Sequence, residues 1–225
     1  MLKAVWAIAR KDLRLTLARG SGLAQALLLG LLLLFVFSLS QQVGETMSPQ
    51  GAAAIFWLAS AFCQVLVFNM LYGLEEVNGA RGGLLLMPWP VQAVWLGKSL
   101  AGLVLLLLAQ AVFLPAAVVF LGQQISPLWS WALCAVLLVD VGMAALGSLL
   151  GALSQGQAAR ESLLGIVLFP LLAPLLLAGI RVGAGGFADA LPEGVTSWLG
   201  VAAAFDALFL GAGIALFGFI YAGEE

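Results

Sequence analysis

The sequence predicts a polytopic all-α membrane protein, formed as a single transmembrane domain over residues 1–225. Three observations predict it. The chain is 63% hydrophobic and only 9% charged, where a soluble domain carries about 25% charged residues. Apolar runs of about 20 residues, the length needed to cross a bilayer as a helix, recur along it. These runs are continuous, whereas a membrane β-barrel would show short alternating segments.

Residues 1–19 read MLKAVWAIARKDLRLTLAR. At the helical repeat, Leu2, Val5, Trp6, Ala9, Leu13 and Leu17 share one face, and Lys3, Arg10, Lys11 and Arg14 the other. This basic amphipathic pattern predicts a helix lying in the membrane interface against lipid headgroups. A cleaved signal peptide would place a shorter basic region directly before its apolar core, followed by a small-residue cleavage site.

Six spans are expected, over about residues 22–39, 52–74, 94–121, 128–153, 162–180 and 197–221. In the first, Gly22, Ala26 and Gly30 form a small-residue stripe suited to close packing, and in the fourth Gly147 and Gly151 form a GxxxG step. Trp129 and Trp131 mark a membrane–water boundary. Pro115 predicts a kink in the third span, and Pro170 with Pro174, one turn apart, predict a bent or broken fifth span. Loops at 40–50 and 122–127 are short. The stretch 154–161 is polar and carries Arg160, and a Gly-rich loop at 181–196 carries Asp189 and Glu193.

The longest polar interruption in the front half is Leu71–Lys98, LYGLEEVNGARGGLLLMPWPVQAVWLGK. Gly79, Gly82 and Gly83 loosen it, and Pro88 and Pro90 prevent a continuous helix and push Met87 and Trp89 toward extended geometry. A short amphipathic helix with a rigid exit at the membrane surface fits this pattern and suits mechanical coupling to a partner; a plain connecting loop is the alternative. Lys3, Arg10, Lys11, Arg14, Arg19, Arg81, Lys98 and Arg160 flank one side of the membrane and Arg181 the other. The positive-inside rule therefore predicts that both termini and residues 71–98 are cytoplasmic.

The chemistry the sequence offers is limited. The net charge of −2 gives no footprint for nucleic acid. The chain has no His, the commonest metal ligand and acid–base catalyst, and no nucleotide, zinc-protease or serine-hydrolase motif. No metal site and no catalytic residue is expected. Cys63 and Cys134 fall inside apolar runs and read as buried structural thiols. Asp140 and Asp206 fall inside spans, where a carboxylate must face the bundle interior or water. Structural burial, a transport-related role and intramembrane proteolysis are the readings left open for them.

The stretch AIARKDLRLTLAR at 7–19, the run LLLMPWPVQAVWLGK at 84–98 and the double-proline run LLGIVLFPLLAPLLLA at 163–178, in this order within six spans, resemble the permease subunits of ABC-2-type exporters. More specifically, the chain resembles the haem exporter protein B (CcmB) family of cytochrome c maturation, over nearly its whole length. The resemblance implies a non-catalytic permease subunit of the bacterial inner membrane. It would pair with a cytoplasmic ABC ATPase (CcmA-like) that holds the ATP. It would work beside a haem-handling membrane protein (CcmC-like) and a periplasmic haem chaperone (CcmE-like). The resemblance further implies that this chain would bind no cofactor directly and that haem would be handled by the complex. ATP hydrolysis would be linked to haem delivery or to release of the haem-loaded chaperone. On this reading Glu75, Glu76, Arg81, Pro88 and Pro90 form the ATPase-coupling segment. An ABC-2 exporter for a lipid or peptide, an ATP-independent scaffold and an intramembrane enzyme using Asp140 and Asp206 are the rival readings.

Overall fold

The computed structural model describes residues 1–41, 46–77, 79–154, 158–188 and 190–222. Eight α-helices carry the described chain: α1 (Leu2–Arg19), α2 (Ser21–Leu39), α3 (Pro49–Val77), α4 (Ala80–Leu85), α5 (Gln92–Phe120), α6 (Trp129–Leu153), α7 (Ala158–Gly183) and α8 (Val195–Ala222). Six stretches, Ser21–Leu39, Pro49–Glu75, Gln92–Phe120, Trp129–Leu153, Ile166–Gly186 (α7 with the single 3-10 turn Ala184–Gly186 that continues it) and Val195–Tyr221, are long and apolar enough to cross a membrane. No strand occurs among the described residues. The molecule is thus the polytopic helical bundle that its composition predicts.

The contacts of Lys98 with Asp12 and Leu71, of Tyr72 with Ser148 and of Tyr221 with Glu75 place α1, the end of α3, the start of α5 and the ends of α6 and α8 at one end of the bundle, called here the near end. α6 is the hub, packed against α5, α7 and α8 and touching α3. Its interior side is built from Gly142, Ala144, Ala145, Gly147, Ser148 and Gly151, small residues that let neighbouring backbones approach. Gly147 lies against the Phe68 ring and Gly151 against Tyr72. In α2 the buried positions are Ala26, Gly30 and Leu34; Gly22 meets Met70 and Gly30 meets Phe113, so the predicted small-residue stripe is the seam onto α3 and α5.

α1 is separate from the six spans and lies along α5. Gly20, with φ of 65°, is the single residue between α1 and α2, and that left-handed backbone favours glycine. The expected apolar face of α1 divides in two. Ala4, Ile8, Ala9, Asp12 and Thr16 are buried, while Leu2, Trp6 and Leu17 are exposed. The helix thus has a seam against protein, a strip of exposed apolar side chains, and an exposed basic edge of Lys3, Arg10 and Arg14. Gly97 of α5 makes the seam possible: a side chain there would strike Ile8 and the Val5 carbonyl.

Of the bent and the broken helix expected at Pro170 and Pro174, the structure has no break: α7 is continuous through both, as α5 is through Pro115; backbone groups freed by proline inside a bundle can be satisfied by neighbouring helices and hydroxyls. One expectation needs correction. Cys63 is buried but Cys134 is exposed, because the first turns of α6 face outward, with Trp129 and Trp131 exposed beside it.

Candidate functional site at the base of the α3–α5 connection

The predicted interruption after the second span is present. α3 extends to Val77, Gly79 takes a left-handed φ of 61°, α4 forms one short helix, and a turn through Met87–Pro90 leads into α5. Gly82, Gly83, Leu86, Pro88, Trp89 and Pro90 are exposed. Leu86 reaches 88% and Trp89 45% exposure, so the segment presents apolar side chains at the near end of the bundle. The side chains of Glu76, Arg81 and Arg160 lie outside the described residues, as do Asp189, Glu224 and Glu225.

Directly beneath this segment is a buried ionic cluster drawn from four helices. Lys98, in the second turn of α5, is 0% exposed. Its ammonium donates to the Leu71 carbonyl at 2.8 Å and to Asp12 Oδ2 at 3.3 Å, and lies 2.9 Å from Glu75 Oε1. Lys11 Nζ is 3.0 Å from both Asp12 Oδ1 and Glu75 Oε1. Tyr221, in the last turn of α8, donates its hydroxyl to Glu75 Oε2 at 3.1 Å. Two lysines face two carboxylates, so the cluster is formally neutral. That is the condition under which buried charges are tolerated.

The cluster continues into the core. Lys98 Nζ stands 4.6 Å over the Tyr72 ring, within cation–π range. The Ser148 hydroxyl donates to the Trp95 carbonyl at 3.2 Å. Its one proton being spent there, Tyr72 is the donor in the 2.8 Å Tyr72–Ser148 bond. Trp95 in turn donates from Nε1 to the Ala145 carbonyl at 3.3 Å. One continuous set of polar contacts therefore joins α1, α3, α5, α6 and α8.

Several predicted site residues fall elsewhere than a surface reading implies. Glu75, placed in the coupling segment from sequence, is 2% exposed and both its carboxylate oxygens are engaged within the bundle. Lys11, assigned to the basic face with Lys3, Arg10 and Arg14, turns into the cluster and is only half-exposed. Burial by itself would depress its ammonium, but the Asp12 and Glu75 carboxylates outweigh that and hold its pKa above the ordinary 10.5. Asp12, Tyr72, Lys98 and Tyr221 were not among the site residues read from sequence.

A second polar group lies midway along the bundle. Asp140 of α6 is fully buried, and Gln110 Nε2 of α5 donates to its Oδ1 at 2.8 Å. Gln64 of α3 donates to the Met143 carbonyl at 2.7 Å. Asp206 of α8 is buried against Gly142. Asp140 Oδ2, Asp206 Oδ1 and the amide oxygens of Gln64 and Gln110 are without hydrogen-bond partners.

Gln110 also lines a cleft of about 460 Å³ in the far half of the bundle, walled by α3, α5, α6 and the turn after α7, with Phe56, Trp57, Trp129, Val136 and Phe187 among its walls. None of the residues lining it is His, Met, Cys or Tyr, the side chains that ligate haem iron. The cleft offers an apolar wall and one amide, and no axial ligand.

An interfacial helix docked on six spans, with a projecting segment after the second span and no nucleotide-binding loop of its own, is the arrangement the sequence resemblance implies. The family comparison decides the assignment: the family model for CcmB protein matches residues 3–218. The chain belongs to the CcmB family. It is 30% identical over 195 residues to heme exporter protein B of Rhodobacter capsulatus, covering 83% of this chain and 86% of that protein. It is 25% identical over 188 residues to heme exporter protein B of Haemophilus influenzae, covering 80% and 84% respectively. Membership of the CcmB family makes this chain the multi-pass permease subunit of an ABC transporter in the bacterial inner membrane.

Proposed function

We propose that this CcmB-family chain serves haem handling in cytochrome c maturation as the membrane subunit on which a partner ABC ATPase acts. Both termini and the α3–α5 connection are cytoplasmic in this reading, in accord with the excess of Lys and Arg at the near end. The observation that carries it is the exposed Leu86–Pro90 turn standing directly over the buried cluster. A partner that seats Leu86, Pro88, Trp89 and Pro90 in a groove bears on a segment whose two ends are anchored by Glu75 and Lys98, and Glu76 and Arg81 of the same segment complete its coupling residues. The CcmA-like ATPase binds and hydrolyses ATP, and this chain supplies no catalytic group. A CcmC-like membrane protein and a CcmE-like chaperone complete the assembly. Haem is cargo of the complex, ligated by those partners rather than by the cleft described above.

Co-purification in mild detergent tests this reading. The wild-type chain is expected to bring down an ABC ATPase together with a haem-handling membrane protein. Trp89→Ala combined with Leu86→Ala is expected to lower ATPase recovery at least tenfold while leaving the chain folded. Recovery of the ATPase unchanged by that double substitution would overturn the docking surface. An ATPase arriving without any haem-pathway protein would favour export of another cargo.

A further inference from the structure

We propose that Lys98 is a positioning residue. It holds the interfacial helix α1 and the near end of α3 at a fixed separation, so that α1 and the coupling segment move as one body. The role in coupling rests on the reading above; the positioning itself does not.

The geometry supports this over a generic buried ion pair. Lys98 is fully buried and addresses α1 through Asp12 and α3 through both Glu75 and the Leu71 carbonyl. An ammonium has three donors and no acceptor, and all three directions are taken by these partners. The carboxylates cannot exchange Lys98 for water without opening the α1–α5 seam, because Asp12 and Glu75 are themselves 1% and 2% exposed. Lys11 adds a parallel link between α1 and α3, but from α1 itself and from a half-exposed position. Lys98 alone brings α5 into the joint. Since α4 and its flanking turns span the gap between Glu75 and Lys98, the lysine closes the base of that loop and sets the angle at which it leaves the bundle.

Lys98→Met with Asp12→Asn tests the proposal. The pair of changes removes one charge of each sign and leaves the Lys11–Glu75 and Tyr221–Glu75 contacts in place. Spin labels attached through Leu17→Cys on α1 and Leu86→Cys after α4, both exposed, report the α1–coupling separation in nanodiscs, in a Cys134→Ser background. A second pair, through Leu39→Cys and Ile125→Cys, reports the far end. Wild type is expected to give one narrow distance at each pair. The double variant is expected to broaden the Leu17–Leu86 distribution at least twofold and leave the far-end pair unchanged, with Lys98→Arg keeping it narrow. A near-end distribution as narrow as wild type, or equal broadening at both ends, would overturn the proposal.

Should the double variant fail to fold, labels on the otherwise wild-type chain decide the matter with the partner ATPase and a non-hydrolysable nucleotide, the α4 label being moved off the docking turn to Gly83→Cys, an exposed position with open space around it. The Leu17–Gly83 distance must then stay within its resting width while the distance from Gly83 to Leu39 shifts; a change in the former overturns the proposal. A wild type that binds no ATPase would sink the coupling reading and leave the Lys98 result in nanodiscs standing.

Discussion

Lys98 and Asp12 are 86 positions apart in the chain and 3.3 Å apart in the fold, and both are buried. The contact joins α1 to α5, the third span that follows it, beneath the segment that connects α3 to α5. The energetics of such a pair are asymmetric. Forming it gains little over an apolar substitute, whereas removing one partner leaves a buried charge uncompensated.

That asymmetry makes a stability prediction. Lys98→Met alone strands Asp12 and Glu75 with only Lys11 between them, and is expected to cost about 3–5 kcal/mol. Adding Asp12→Asn should recover a substantial part of the loss. Denaturation midpoints of the single and double variants in one detergent measure this. A double variant less stable than the single one would contradict a charge-balance account.

Tyr221→Phe removes a neutral donor to a carboxylate while Lys11 and Lys98 still hold Glu75. The expected loss is about 1.5–3 kcal/mol, the range for hydrogen bonds to charged groups. The thermal midpoint should fall without loss of membrane insertion.

Gly97→Val places a branched side chain against Ile8 and the Val5 carbonyl. Overpacking of this kind costs about 1–3 kcal/mol. Its expected signature is local: α1 is displaced from α5 and becomes accessible to protease, while the spans stay protected.

The Lys11 ammonium, held above its ordinary pKa of 10.5, has a defined pH window. A raised folded-state pKa contributes stability fully below the unfolded value and loses it as pH rises through the folded value. The difference in thermal midpoint between wild type and Lys11→Met should therefore be constant from neutrality to about pH 10 and shrink only at more alkaline pH. A difference that vanished between pH 6 and 8 would place the interaction elsewhere.

Asp140→Asn keeps an oxygen acceptor for Gln110. If the residue serves packing and hydrogen bonding, assembly and complex activity should stay within about fivefold of wild type, corresponding to about 1 kcal/mol. Loss of all activity with assembly intact would instead support chemistry at that carboxylate.

The spans were legible in the sequence because an apolar run of sufficient length leaves the backbone one solution in a bilayer. The small-residue seam at Gly22, Ala26 and Gly30 was legible for a similar reason: periodicity marks a face. The ionic cluster was not. Its members come from positions 11, 12, 75, 98 and 221, and each taken alone has an ordinary explanation. Lys98 reads as a positive flank of a span, Glu75 as part of a charged loop, and Tyr221 as an interfacial aromatic. Only the packing of α1, α3 and α8 around the start of α5 makes them neighbours. Pro170 and Pro174 illustrate the converse: of the bend and the break that these prolines allow locally, the break is absent, because a surrounding bundle can carry a helix through them.

The bond from Tyr221 to Glu75 also bears on how the molecule is made. Synthesis proceeds from the N-terminus, so Asp12 and Glu75 enter the membrane region long before their last partner exists. Lys98 arrives after three of the four ion-cluster charges are already in place, and the tyrosine comes only with the final turn of the last span. The joint beneath the α3–α5 connection is therefore closed by the end of α8. A nascent chain that has not yet inserted that helix holds a carboxylate short of one donor, so the base of that connection is finished last.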